Sequence, residues 1–178
     1  MSEIALDHTS TLRQNNLLLL RFDARELPED LVAQLLEKSH QPHIKKYVGK
    51  GLVEPRFSSR AAYTQWAAKG RTVYMLVDEA THDLAGIAWY GKRLHDRIDK
   101  KYTWSFGIRL YEGYVGKKLA KPLIQVSLDD MHRQMDGATQ YVWLGYDEQN
   151  EAAGRAYVSC GYTQLLHENG RIIMGREL

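Results

Sequence analysis

The densest chemical signal in the chain lies in Phe106-Gly-Ile-Arg-Leu-Tyr-Glu-Gly-Tyr-Val-Gly-Lys-Lys-Leu-Ala-Lys-Pro-Leu-Ile124. A helix starting near Gly116 after a strand would expose its first backbone N–H groups and the positive end of its dipole. Gly116 would let a ligand approach the backbone, and the whole makes an anion site. Charge agrees, since residues 91–122 hold nine Lys and Arg against three Asp and Glu, +6, in a chain that is +2 overall. The alternative is a solvated helix end with an incidental lysine cluster. A second segment runs from Tyr146 to Tyr162, where a helix from Asn150 to Cys160 puts Ala153, Ala156, Tyr157 and Cys160 on one face. A phenol there can donate a proton to a leaving group, or it can be a core tyrosine. Asn150 is a natural helix cap. His40-Gln-Pro-His43 offers two imidazoles with no third ligand nearby, so no metal is expected. Cys160 has apolar neighbours and reads as a small buried residue rather than a nucleophile.

These residues need elements to position them. Residues 1–15 are polar and aperiodic and read as a loose tail; Asn16–Phe22 is the first strand. Leu31, Leu35 and Leu36, with Pro28 in the first turn, predict a helix from Leu27 to about Ser39. His40–Pro55 reads as loop. Ser58 or Ser59 caps a helix through Ala68. Thr72–Val77 and Leu84–Tyr90 form a hairpin signal, and Tyr102–Leu110 is a longer strand. The helix from about Gly116, with Ile124, Leu128, Met131 and Met135 at helical spacing, ends at Gly137, and Pro122 either delays its start or kinks it. Strand Tyr141–Tyr146, the short helix from Asn150, capped by Gly161, and a closing hairpin around Glu168-Asn169-Gly170 complete the chain. The order β-α-α-β-β-β-α-β-α-β-β predicts one mixed α/β (α+β) domain over residues 16–178.

Asn150, Ala153, Tyr157 and Gly161-Tyr162 resemble the Asn-x-x-Ala-x-x-x-Tyr-x-x-x-Gly-(Phe/Tyr) stretch of the GCN5-related N-acetyltransferase (GNAT) family. The earlier segment resembles that family's acetyl-CoA loop, (Gln/Arg)-x-x-Gly-x-(Gly/Ala). It falls on Val115–Ala120, with Gly116, Leu119 and Ala120 matching and Val115 and Lys118 departing. The resemblance covers about residues 16–178. It implies a mostly antiparallel sheet splayed near its middle, helices on both faces, and acetyl-CoA seated in the splay. Ile108, Arg109 and Leu110 would pair with the pantetheine arm, Gly116, Lys117, Lys118, Leu119, Ala120 and Lys121 would hold the pyrophosphate, and Asn150 would bond the arm. Val115 removes one side-chain contact, Lys118 adds a Cβ near the phosphates, and the three lysines offset this with charge. Tyr157 would protonate the departing CoA thiolate. Attack also needs a neutral amine, whose deprotonation from a pKa of about 10.4 costs roughly 4.6 kcal/mol at pH 7. No carboxylate in Tyr102–Tyr111 is placed to serve as base, and none is assigned.

Composition excludes other classes. At 178 residues, 44% hydrophobic and 26% charged, the chain suits one folded domain rather than a disordered or low-complexity one. A single cysteine rules out an internal disulfide framework and suits a reducing cytosol. Apolar runs such as Leu17–Leu20 are far too short to span a bilayer, and no basic-then-apolar signal opens the sequence. A soluble, cytoplasmic protein is therefore expected, and the family resemblance implies an acyltransferase working as a monomer or homodimer with acetyl-CoA and an amine acceptor, without metal, membrane or nucleic-acid partner. Outside residues 91–122 the net charge is −4, which favours a cationic acceptor such as a polyamine, an aminoglycoside, or a lysine or amino-terminal peptide. Two alternatives stay open. One is a CoA- or peptide-binding module of this fold without transfer. The other is a basic nucleic-acid module working through Lys92–Lys121.

Overall fold

Strand β4 (Leu84–Lys92) is apolar on both faces because both are covered: Leu84, Ala85, Ile87, Ala88 and Tyr90 are fully buried and Trp89 nearly so. It lies inside an eight-stranded sheet in the computed structural model, which describes residues 4–5, 16–48, 54–135 and 138–178. The other strands are β1 (Ile4–Ala5), β2 (Leu17–Asp23), β3 (Arg71–Asp78), β5 (Tyr102–Leu110), β6 (Tyr141–Asp147), β7 (Thr163–Glu168) and β8 (Arg171–Glu177), and their spatial order is β1-β2-β3-β4-β5-β6-β8-β7. Every neighbouring pair is antiparallel except β5 and β6. Within the expected tail, Ile4 and Ala5 pair with Arg21 and Leu20; residues 1–3 and 6–15 lie outside the described residues.

Alternation along β3 divides the core. Val73, Met75 and Val77 pack beneath α1 (Glu29–Lys38), α2 (Pro42–Val48) and α3 (Arg60–Ala67). Tyr74 and Leu76 face α4 (Ala120–Gln134) and α5 (Glu151–Ser159). A buried polar post ties the second face together: Asp130 of α4, 3% exposed, accepts hydrogen bonds from Arg21 and from the Tyr74 hydroxyl, each at 2.8 Å. Among the described residues, no helix is long and apolar enough to cross a membrane.

Two expected elements differ. The stretch read as loop, His40–Pro55, contains α2, because Pro42 occupies the first helical position, where its missing N–H costs nothing. Residues 49–53 lie outside the described residues. The fourth helix starts at Ala120, not Gly116, since Gly113, Gly116 and Lys118 all take positive φ (86°, 80° and 60°) and break the chain into turns. Pro122 then sits in the first turn and leaves no hydrogen bond unmade there. The expected stop at Gly137 falls outside the described residues; Met135 is the last capping residue. Elsewhere the expected elements form, with Ser59 Oγ capping α3 through the Ala62 N–H at 3.2 Å.

Candidate active site

The parallel pairing of β5 with β6 runs only from Tyr102 and Tyr141 to Ser105 and Trp143, with an irregularity between Tyr102 and Trp104. Beyond Ser105 the two strands part, while β5 stays paired with β4 as far as Leu110. The parting leaves Ile108 and Leu110 without a strand partner on that side. Two cavities open at this gap, of about 890 and 930 Å³, and Arg109, Gly145, Tyr157 and Arg171 line both.

The first cavity is framed by β5, the turns before α4, and α5. Ile108, Arg109, Leu110, Gly116, Lys118, Leu119, Ala120, Lys121 and Asn150 line it. Lys117 does not: its N–H goes to the Tyr114 carbonyl at 3.4 Å and its ammonium lies 5.0 Å over the Tyr114 ring. The remaining turn residues share a property. Hydrogen bonding into α4 begins with the Leu123 N–H to the Leu119 carbonyl, and no described acceptor takes the N–H of Gly116, Lys118, Leu119, Ala120 or Lys121. Five unengaged amides at a helix start, with two lysines, form a strong setting for phosphate oxygens. Lys118 holds a left-handed conformation that glycine adopts without steric cost.

The β5 edge is partly occupied. The Ile108 carbonyl accepts from the Arg109 guanidinium at 2.6 Å, and the Leu110 carbonyl is 3.0 Å from His43 Nε2. His43 reaches it from α2, a helix unrecognised in the sequence, so its part in the cavity went unnoticed. Asn150 caps α5, its Oδ1 accepting the Ala153 N–H at 3.2 Å. Tyr146 was also missed; its ring packs 5.4 Å from that of Tyr157 and its hydroxyl lies over Gly154, where a Cβ would come within 2.7 Å of it.

Tyr157 is 6% exposed, and among the described residues its hydroxyl forms no hydrogen bond where it lines the two cavities. Burial pushes its pKa up to about 12, partly opposed by Arg109. It therefore stays protonated at neutral pH and carries an O–H free to donate. Cys160 is buried, and burial raises its thiol pKa.

The second cavity lies on the opposite side, against α3, Trp89 and the β6–β8 surface. Its lining runs opposite in charge to the chain outside residues 91–122: seven Lys and Arg side chains against Glu54 and Glu168. Glu54, 2% exposed, is paired with Arg56 and, at 3.3 Å, with Arg109; Glu168 is paired with Arg97. The balance of −4 outside residues 91–122 hides this because cations from distant segments converge here.

The sequence profile of the acetyltransferase (GNAT) family matches residues 32–162, well over half of the chain. The protein belongs to the GNAT family of acetyltransferases. No curated protein matches the sequence. Solved GNAT-like structures share its fold. Ribosomal-protein-S5-alanine acetyltransferase from Vibrio fischeri matches at 14% identity over 90% of this chain and 92% of its own, with a TM-score of 0.63. Spermidine N-acetyltransferase from Vibrio cholerae, solved with CoA and spermine, matches at 14% identity over 92% and 95%, TM-score 0.63. AAC(6')-Ib, solved with ribostamycin and coenzyme A, matches at 19% identity over 90% and 93%, TM-score 0.64. The splayed mixed sheet is thus the GNAT architecture. Among the described residues, no group of three His, Cys, Asp or Glu side chains could hold a metal.

Proposed function

We propose that this protein transfers the acetyl group of acetyl-CoA to a primary amine by direct attack in a ternary complex, with Tyr157 donating to the departing sulfur. The observation that carries this reading is the position of Tyr157 on both cavities, beside a turn with five unengaged amides. The pyrophosphate would take the amides of Gly116 and Lys118–Lys121. The pantetheine arm would lie along Ile108–Leu110 in the gap, using the strand's N–H groups and displacing the Arg109 or His43 contact where it needs a carbonyl. Asn150 would face the arm from the start of α5.

In the reaction the neutral amine nitrogen bonds to the thioester carbonyl carbon, and the C–S bond breaks as that intermediate collapses. Sulfur takes a proton from the Tyr157 hydroxyl, and the proton lost from nitrogen restores the phenol, so CoA leaves as the free thiol. Glu54 and Glu168 are each held by arginine, so an acceptor that arrives as an ammonium gives up its first proton to water in the cavity. The single buried thiol fits a reducing, cytoplasmic setting.

Thiol release measured with acetyl-CoA and a panel of primary amines, with the product identified by mass, tests the proposal. A transferase gives one acetylated amine per thiol. A binding module of the same fold holds acetyl-CoA and releases no thiol with any amine.

A further inference from the structure

Arg71 is 91% buried on β3, yet it has neither a hydrogen bond nor an ion pair with any described residue. Its Nε is sealed from solvent without an acceptor, as are Nε1 of Trp66 and Nε of Arg109, and all three residues line the second cavity. Room for Arg71 is built into the sheet: a Cβ at Gly91 would collide with its guanidinium. The guanidinium lies 5.8 Å over the Trp66 ring, a cation–π contact that holds it in place without neutralising its charge.

Its neighbours deepen the imbalance. Burial lowers the Arg71 pKa and repulsion from Arg93 lowers it further. Arg56 is pushed down to about 10 by burial, with Glu54 opposing and Arg109, Arg93 and Arg71 adding repulsion. Arginine stays charged in proteins, so such shifts register burial first and crowding of like charge second, and a bound anion would relieve both. The guanidinium carbons of Arg93, Arg109 and Arg56 stand over the rings of Trp143, Trp89 and Trp89 at 5.4, 5.0 and 5.3 Å, around the cavity. Both lining carboxylates are already paired, so the charge that is missing has to come from a ligand.

We propose that the acceptor is a small amine that itself carries a carboxylate or phosphate, bound between Arg71 and Arg93 with its amine turned toward Tyr157. This rests on the transferase reading for the amine's fate, while the anion site stands on the cavity alone. A volume of about 930 Å³ suits a small molecule.

The test compares acceptors that differ in one anionic group: phosphoethanolamine against ethanolamine, and β-alanine against propylamine, with spermidine as the cationic arm. The expected result is a kcat/KM at least tenfold higher for the charged member of one or both pairs, falling as salt is raised. Arg71→Gln is expected to reduce that ratio toward one, and Arg71→Lys to keep part of it. Arg93 is exposed, so Arg93→Gln gives the same readout if the Arg71 variants do not fold. Calorimetry with phosphoethanolamine and β-alanine on the protein without acetyl-CoA separates the two ideas. Saturable binding weakened by Arg93→Gln, with no amine turned over, upholds the anion site and removes the transferase reading. Equal or better turnover of ethanolamine, propylamine or spermidine overturns the anionic acceptor and leaves the transferase standing. Absence of binding at millimolar concentration, with no preference in turnover, also overturns it.

Discussion

Replacing Tyr157 by Phe separates a proton donor from a core tyrosine. The residue is 6% exposed and its hydroxyl bonds no described residue, so deleting the oxygen leaves no orphaned partner. The stability change should be under about 0.5 kcal/mol, a shift in Tm of about 2 °C or less. Catalysis should respond differently. A thiol ordinarily ionises near 8.5, and the phenol is pushed up to about 12, so full transfer to sulfur ahead of other steps would be uphill by roughly 5 kcal/mol. Tyr157 therefore works as a hydrogen-bond donor to developing negative charge, its proton moving in step with the one leaving nitrogen. A bond of that kind is worth about 1.5–3 kcal/mol, which corresponds to a fall in kcat of about 10- to 160-fold. The assay is steady-state thiol release with saturating acetyl-CoA, alongside calorimetry and a thermal melt of both proteins. The pH profile adds a check: with the acid protonated up to about 12, the native enzyme should show no falling limb below about pH 10. An unchanged kcat refutes the donor role. A loss of activity matched by a Tm drop of more than about 6 °C assigns Tyr157 to the core instead.

Three further outcomes follow from the structure. Asp130→Ala strips the half-buried Arg21 of its carboxylate and the Tyr74 hydroxyl of its acceptor, so a loss of about 3–5 kcal/mol is expected, read as a Tm lowered by roughly 6–20 °C. Tyr63, Tyr74, Tyr90, Tyr111, Tyr157 and Tyr162 are buried with pKa values raised by burial. Their contribution is intact below pH 10 and is lost as the unfolded chain ionises above it, about 1.4 kcal/mol per tyrosine at pH 11. Chemical denaturation midpoints should hold up to about pH 10 and collapse by about pH 11; a flat profile would contradict the burial. Lys118→Gly relieves the φ of 60° and should raise Tm by about 2–4 °C while changing acetyl-CoA affinity less than about fivefold. A lower Tm would show that the lysine side chain, not the backbone, holds the turn.

What could be read from residue types was local. Asn150, Gly161 and the Asn169-Gly170 turn announce themselves by cap and turn chemistry, so α5 and the closing hairpin were placed correctly. β3 and β4 were legible because continuous apolar runs suit strands buried on both faces, and β5 because Tyr102–Leu110 alternates in part and is rich in aromatics. Helix α2 was not, since Pro42 and Lys45-Lys46 suit a loop as well as a short helix whose packing rests on Ile44. The late start of α4 depends on Lys118 taking a positive φ, which lysine rarely does and its identity does not signal. Arg109 was named for its backbone, while its side chain spans to Glu54. The cationic cavity was the least legible feature. Arg56, Arg71, Arg93 and Arg171 come from separate elements, and only the topology brings them around one space.

The most direct measurement is a calorimetric titration of the native protein with acetyl-CoA and, in parallel, with acetyl-pantetheine, which lacks the nucleotide and its pyrophosphate. If the unengaged amides of Gly116 and Lys118–Lys121 hold the pyrophosphate, acetyl-CoA binds at one site per chain and acetyl-pantetheine binds at least about a hundredfold more weakly. Equal affinities would move the phosphates off that turn, and absence of acetyl-CoA binding at high micromolar concentration would contradict its seat in the splay.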